Sequence, residues 1–140
     1  MNSKTRFFRI ALIMASALFL LSCGTTTVIQ GENWLASKTD KPEMDISGTW
    51  SSPEWGAAIL KQEGNRITGV LGDYPVKGVA SGNSLYLMMY SGDTATYFAE
   101  LKATDMNTFK GLYSKYKIID EVRNDPGFTR PMSLTKVASQ

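Results

Sequence analysis

Histidine is absent from the 140 residues, and cysteine occurs once, at Cys23. The first absence removes the commonest general base and the commonest nitrogen ligand for a metal. The second rules out a disulfide within one chain, so the fold must rest on a packed core. A basic surplus is missing as well. The 15 lysines and arginines face 13 acidic residues, but Lys4, Arg6 and Arg9 fall in the N-terminal leader. Without those three, 12 basic residues stand against 13 acidic ones, a net charge of −1. That balance excludes the electrostatic footprint of a nucleic-acid binder and a polybasic membrane patch. The apolar run at residues 10–21 counts twelve residues, short of the roughly twenty that a membrane-spanning helix needs.

Three positive charges followed by that run have the flank and length of a secretory signal. The run closes in Leu20-Leu21-Ser22-Cys23 instead of a small-x-small cleavage site. This tetrapeptide resembles the bacterial lipobox, with an aliphatic residue three before the cysteine and a small one just before it. The resemblance implies cleavage before Cys23, a diacylglycerol thioether on its sulfur, and acylation of the new amino terminus by a palmitate-like chain. Two or more acyl chains anchor a protein stably where one does not. Residues 1–22 are then a signal peptide, and 118 of the 140 remain, ordinary single-domain size. Gly24 stands where enteric bacteria read an aspartate as a signal for inner-membrane retention. The resemblance therefore implies the periplasmic face of the outer membrane, with the membrane itself as a partner through Cys23.

Residues 23–45 are polar and small, with Thr25-Thr26-Thr27, Gly31 and Ser37 through Pro42, and no period persists. The stretch reads as a flexible tether, able to reach about 70 Å if extended. Trp34-Leu35 interrupts it, either as an apolar spot in a linker or as a segment packed across an open end of the following domain.

From residue 46 to 140 the pattern changes. Gly64-Asn65, Gly72-Asp73, Gly82-Asn83 and Gly92-Asp93 recur at spacings of 8, 10 and 10 residues. Glycine followed by Asn or Asp suits two-residue hairpin turns, which need positive φ at a central position. The expectation is an all-β domain, an eight-stranded antiparallel up-and-down meander closing into a barrel. Its strands are placed at 46–51, 57–63, 66–71, 74–80, 84–91, 94–104, 108–116 and 132–138, with a loop or one short helix at 117–124. Alternation on the sixth strand points Ala95, Tyr97, Ala99 and Leu101 inward, and Phe98 outward. Gly69, Gly78 and Gly111 fall within strands, where glycine marks a sharp bend or a close backbone approach.

Gly48-Thr49-Trp50, followed by Leu60-Lys61-Gln62-Glu63-Gly64-Asn65-Arg66-Ile67-Thr68-Gly69, resembles the start of lipocalin-like and avidin-like (calycin) bacterial barrel domains. The resemblance implies that the Trp50 indole sits at a closed barrel end. It also implies a basic residue from the last strand, Arg130 or Lys136, stacked over that ring.

Carboxylates are scattered singly, Asp120-Glu121 with Asp125 read as an acidic surface loop, and the serines lack a base. No catalytic, metal or cofactor site is assigned, and the chain is read as a non-enzyme. Two functions remain. The first is binding of a small hydrophobic or amphipathic ligand inside the barrel, by Trp50, Leu60, Gln62, Ile67, Leu87, Met89, Tyr97 and Tyr113, provided the interior is hollow and not filled. The alternative is an envelope protein partner or hydrolase inhibitor, bound by the loop at 117–130 or by the outward apolar set Tyr86, Met88, Tyr90 and Phe98, a set that cover of one sheet face by the tether would also explain.

Overall fold

A computed structural model of the chain describes residues 26–138. The leader and Cys23 lie outside the described residues. Eight antiparallel strands form a closed barrel in which each pairs with its sequence neighbours and the last returns to the first. They are β1 (Gly48–Ser52), β2 (Gly56–Glu63), β3 (Arg66–Leu71), β4 (Tyr74–Ser81), β5 (Ser84–Ser91), β6 (Thr94–Asp105), β7 (Thr108–Lys115) and β8 (Thr129–Lys136). The meander is as expected, and its cause is local. Gly64, Gly72, Gly82 and Gly92 each hold φ between 58° and 62°, the left-handed geometry that lets a tight hairpin match the strand twist. Closure is uneven. β1 meets β8 through two residue pairs, Trp50 with Lys136 and Ser51 with Thr135, whereas β2 pairs with β3 through six.

The barrel has two ends. At the first, β1 enters and the β2–β3, β4–β5 and β6–β7 turns gather. Trp50 fills this end, donating from Nε1 to Ile46 O at 2.8 Å and packing edge-on to Phe109 with centroids 5.5 Å apart. At the second end lie the β1–β2, β3–β4 and β5–β6 turns and the loop after β7. Trp55 marks that end.

Between them the interior is filled. Ala58, Leu71, Leu87, Met89, Ala99, Leu101 and Leu134 expose 0% of their surface, and Leu60, Ile67 and Phe109 at most 3%. Large and small side chains interdigitate here as in other protein cores. The strand glycines do not hollow the barrel; they let strands come together. A Cβ on Gly111 would lie 1.9 Å from Glu100 O, and one on Gly69, at φ +150°, would lie 2.0 Å from Ile59 O.

One inward assignment fails. Tyr97 faces Met89 but Ala95 faces Tyr90, so β6 carries an extra residue and the register shifts. A bulge of this kind reverses the parity of everything beyond it. Ala95 therefore packs outside the barrel wall with Met88 and Phe98.

The expected tether is structured over part of its length. Helix α1 (Thr26–Ala36) lies along the outer wall of β4, β5 and β6. Trp34 and Leu35 are buried there, Trp34 edge-on to Tyr86 and Phe98 at 5.6 and 6.0 Å. They cover the wall of the barrel and not its end. Gly31 is the point of closest approach, where a Cβ would stand 2.6 Å from Met88 Cε and 2.8 Å from Phe98 Cε1. Beyond the helix, the chain straps onto the β4–β5 turn. Asp40 N donates to Ser81 Oγ at 2.9 Å, and Glu43 N to Gly82 O at 2.9 Å.

Candidate functional site

The residues expected to bind a ligand divide into three groups. Leu60, Ile67, Leu87 and Met89 are core, sealed by their neighbours. Trp50 closes its end, with the Lys136 ammonium 5.7 Å from its ring centroid. Of the two basic candidates it is Lys136 that stands there, since Arg130 donates instead to Pro126 O and Thr129 O. Gln62 does not point into the barrel interior as a polar contact. Its Oε1 accepts from Ile46 N at 2.9 Å and its Nε2 donates to Gly64 O at 2.9 Å, tying the entry of β1 to the β2–β3 turn.

Tyr97 and Tyr113 are different. Both are half-buried at the second end, where they meet two residues that sequence reasoning missed, Trp55 and Tyr74. Trp55 sits among three tyrosines edge-to-face, its ring centroid 5.4 Å from Tyr74, 4.7 Å from Tyr97 and 5.0 Å from Tyr113. Such geometry sets the positive edge of one ring against the negative face of the next. The Trp55 indole nitrogen is buried without a hydrogen-bond acceptor among the described residues. Hydrogen bonding with the Tyr97 hydroxyl is the main cause that holds the Tyr74 phenol above its ordinary pKa. Both missed residues adjoin turns, so neither belongs to the strand alternation that found Tyr97 and Tyr113.

At the same end, Tyr116 is held at φ +63°, the only non-glycine residue with positive φ among those described. A bulky side chain adopts that geometry at a cost of roughly 1–3 kcal/mol. Its backbone nitrogen donates to Thr96 O at 2.7 Å, and its ring is left in solvent beside Lys115, whose ammonium lies 5.1 Å from the ring centroid.

The outward set expected as a partner site is covered. Met88 and Phe98 are fully buried, and Tyr86 and Tyr90 half-buried, under α1. The covering segment comes from this chain's own N-terminal stretch, so the patch is an internal contact. The loop at 117–130 is likewise pinned. It contains α2 (Ile119–Val122), which buries Ile119 and Val122, and Arg123 bonds Glu100 at 2.5 Å and Asp120 at 2.8 Å.

What α1 leaves open is a groove along its flank. It has a volume of 530 Å³ and runs between the helix and β3–β4. Leu35 and Val79 form an apolar floor, while Lys38, Arg66 and Lys77 and one carboxylate, Glu32, stand around it. Lys77 reaches Glu32 at 3.6 Å and Lys38 reaches Asp120 at 3.4 Å. Exposed pairs like the first are weak and exchange readily with a better anion. Chemically the groove suits an alkyl chain with a negative head. No reactive nucleophile and general base meet in it. Neither the signal-peptide charge pattern nor strand alternation locates this groove, because it exists only once α1 folds back on the wall. No protein-family model, curated protein or solved structure matches the chain.

Proposed function

We propose that this chain is an envelope lipoprotein, anchored to the outer membrane through acylated Cys23, that binds a small amphipathic molecule without transforming it. The observation that carries the reading is the groove beside α1, an apolar floor of Leu35 and Val79 ringed by Lys38, Arg66 and Lys77. Concave sites with an apolar lining and a few placed polar groups are where small ligands bind. Burial of about six methylenes contributes roughly 5 kcal/mol before association costs are met. The Lys136 ammonium over Trp50 supports the likeness to lipocalin-type barrels that Gly48-Thr49-Trp50 suggests, and the lipobox supports the anchor.

Calorimetric titration of residues 24–140 with dodecanoate and with dodecanol tests the binding. Saturable uptake with preference for the anion is expected, weakened about tenfold by Lys77→Glu. Equal failure of both amphiphiles to bind sinks the reading. The anchor is tested by the mass of the mature protein, which should carry acyl chains that Cys23→Ser removes.

A further inference from the structure

We infer that the Trp55 end of the barrel is the face this protein lays on a lipid bilayer. The inference rests on acylation of Cys23, and it adds an orientation that acylation alone does not specify. The direction of α1 carries it. At its C-terminal side, Lys38 lies over the Tyr86 ring at 4.8 Å, and the following residues strap to the β4–β5 turn at the Trp50 end. One turn back, Trp34 packs on Tyr86, and a further turn back Gly31 meets Met88 and Phe98. Glu32 reaches Lys77, the cross-strand partner of Met88. Each step toward the helix start is a step along β5 toward the β5–β6 turn. Thr26 therefore stands at the Trp55 end, and Cys23, three residues earlier in the sequence, lies at most about 11 Å from it. An acyl anchor there holds this end of the barrel to the membrane and keeps the other away.

The composition of the end fits that neighbour. Beyond Trp55 and the three half-buried tyrosines around it, Tyr116 and Phe128 are exposed by 58% and 49%, with Lys115 and Lys117 beside Tyr116. Tryptophan, tyrosine and lysine together are the residues that settle at the headgroup level of a bilayer. The strained backbone of Tyr116 holds an aromatic ring outward at this rim. Asp73, Asp93 and Asp125 are interspersed, so contact depends on the rings and not on a basic field, and it persists at high salt. The opposite end buries its aromatic pair, Trp50 and Phe109, and shows solvent polar turns with isolated Met106 and Val137.

The test uses the full-length acylated protein in phosphatidylcholine vesicles that carry a nitroxide on the lipid chains. An environment-sensitive fluorophore is placed on Phe128→Cys, on Tyr116→Cys as a second report from the same end, or on Asn107→Cys at the opposite end. Cys23 is blocked by its thioether, so the label is unique. The expected result is quenching of about twofold or more at both positions of the Trp55 end and none at Asn107, unchanged by high salt. A protein that carries its acyl mass and floats with the vesicles, yet shows equal or greater quenching at Asn107, overturns the orientation and leaves the anchor standing. A mature chain without acyl mass overturns the anchor and the orientation with it.

Discussion

The Lys136 ammonium stands 5.7 Å from the centroid of the Trp50 ring, and the same two residues form one of the two pairs that close the barrel. The indole thus does three things at once: it fills the barrel end, it bonds Ile46 O, and it meets the seam. Trp50→Ala removes the packing and the hydrogen bond and should cost about 3–5 kcal/mol. Lys136→Met keeps the aliphatic cover and removes only the charge, for about 1 kcal/mol or less. Urea denaturation of both variants checks the ranking, and a larger loss for Lys136→Met contradicts it.

Gly31 tests the seat of α1. Glycine inside a helix costs about 1 kcal/mol against alanine, yet the contacts with Met88 and Phe98 leave no room for a Cβ without movement. Gly31→Ala should therefore come out near neutral, its helix gain offset by the shift that both the Met88 end and the Phe98 ring must make. Gly31→Leu should lift the helix and expose the Phe98 face, lowering stability by roughly 1–3 kcal/mol and raising binding of a hydrophobic dye. A fully stable, dye-silent Gly31→Leu would mean that α1 does not depend on this contact.

Tyr90→Glu separates a surface from an interface. Tyr90 is half-buried, its hydroxyl has no hydrogen-bond partner among the described residues, and burial with nearby Glu32 raises its phenol pKa. A carboxylate there would be desolvated beside Glu32, so the variant should lose about 1–3 kcal/mol. Thermal unfolding reads the effect directly. An unchanged melting temperature would restore the face as a free patch.

Tyr74 gives a pH signature. Its phenol is held above the ordinary value of 10.0, first by hydrogen bonding with Tyr97 and then by the electrostatic interaction with that residue. The folded state thus favours the neutral phenol. Its contribution is complete below the unfolded pKa and is lost as pH rises through the higher folded one. Following tyrosinate absorbance with pH, Tyr97→Phe should bring one late-ionising tyrosine to lower pH and leave Tyr90 late. If both late ionisations survive, the Tyr74–Tyr97 coupling is absent.

The strands could be read from the chain because each depends on neighbours in sequence: a Gly-Asn or Gly-Asp turn places two strands, and alternation places their faces. What escaped depends on residues far apart. Helix α1 contains Thr26, Thr27 and Gly31, poor helix formers all, and is held by Met88 and Phe98 of strands that sequence places sixty residues on. The apolar outer face of β5 was visible as Tyr86, Met88 and Tyr90, and so was cover by the tether as one explanation of it, but not that residues 28–35 would cover it as a helix. The bulge in β6 leaves no mark in Thr94-Ala95-Thr96-Tyr97, whose alternation is regular. Gly69 and Gly111, by contrast, could be read as points of close backbone approach, and facing strand backbone does lie where their Cβ atoms would be.

The two-pair contact between β1 and β8 also orders the assembly of the fold in time. Seven of the eight strand pairings join neighbours in sequence, so hairpins can zip in succession at little loop-closure cost. The eighth must bring Trp50 to Lys136 across nearly the whole domain, for the smallest return of any pairing. Long-range contacts of that kind form late. Closing the barrel therefore carries the largest loop-closure cost of any pairing in the fold and returns the shortest register for it.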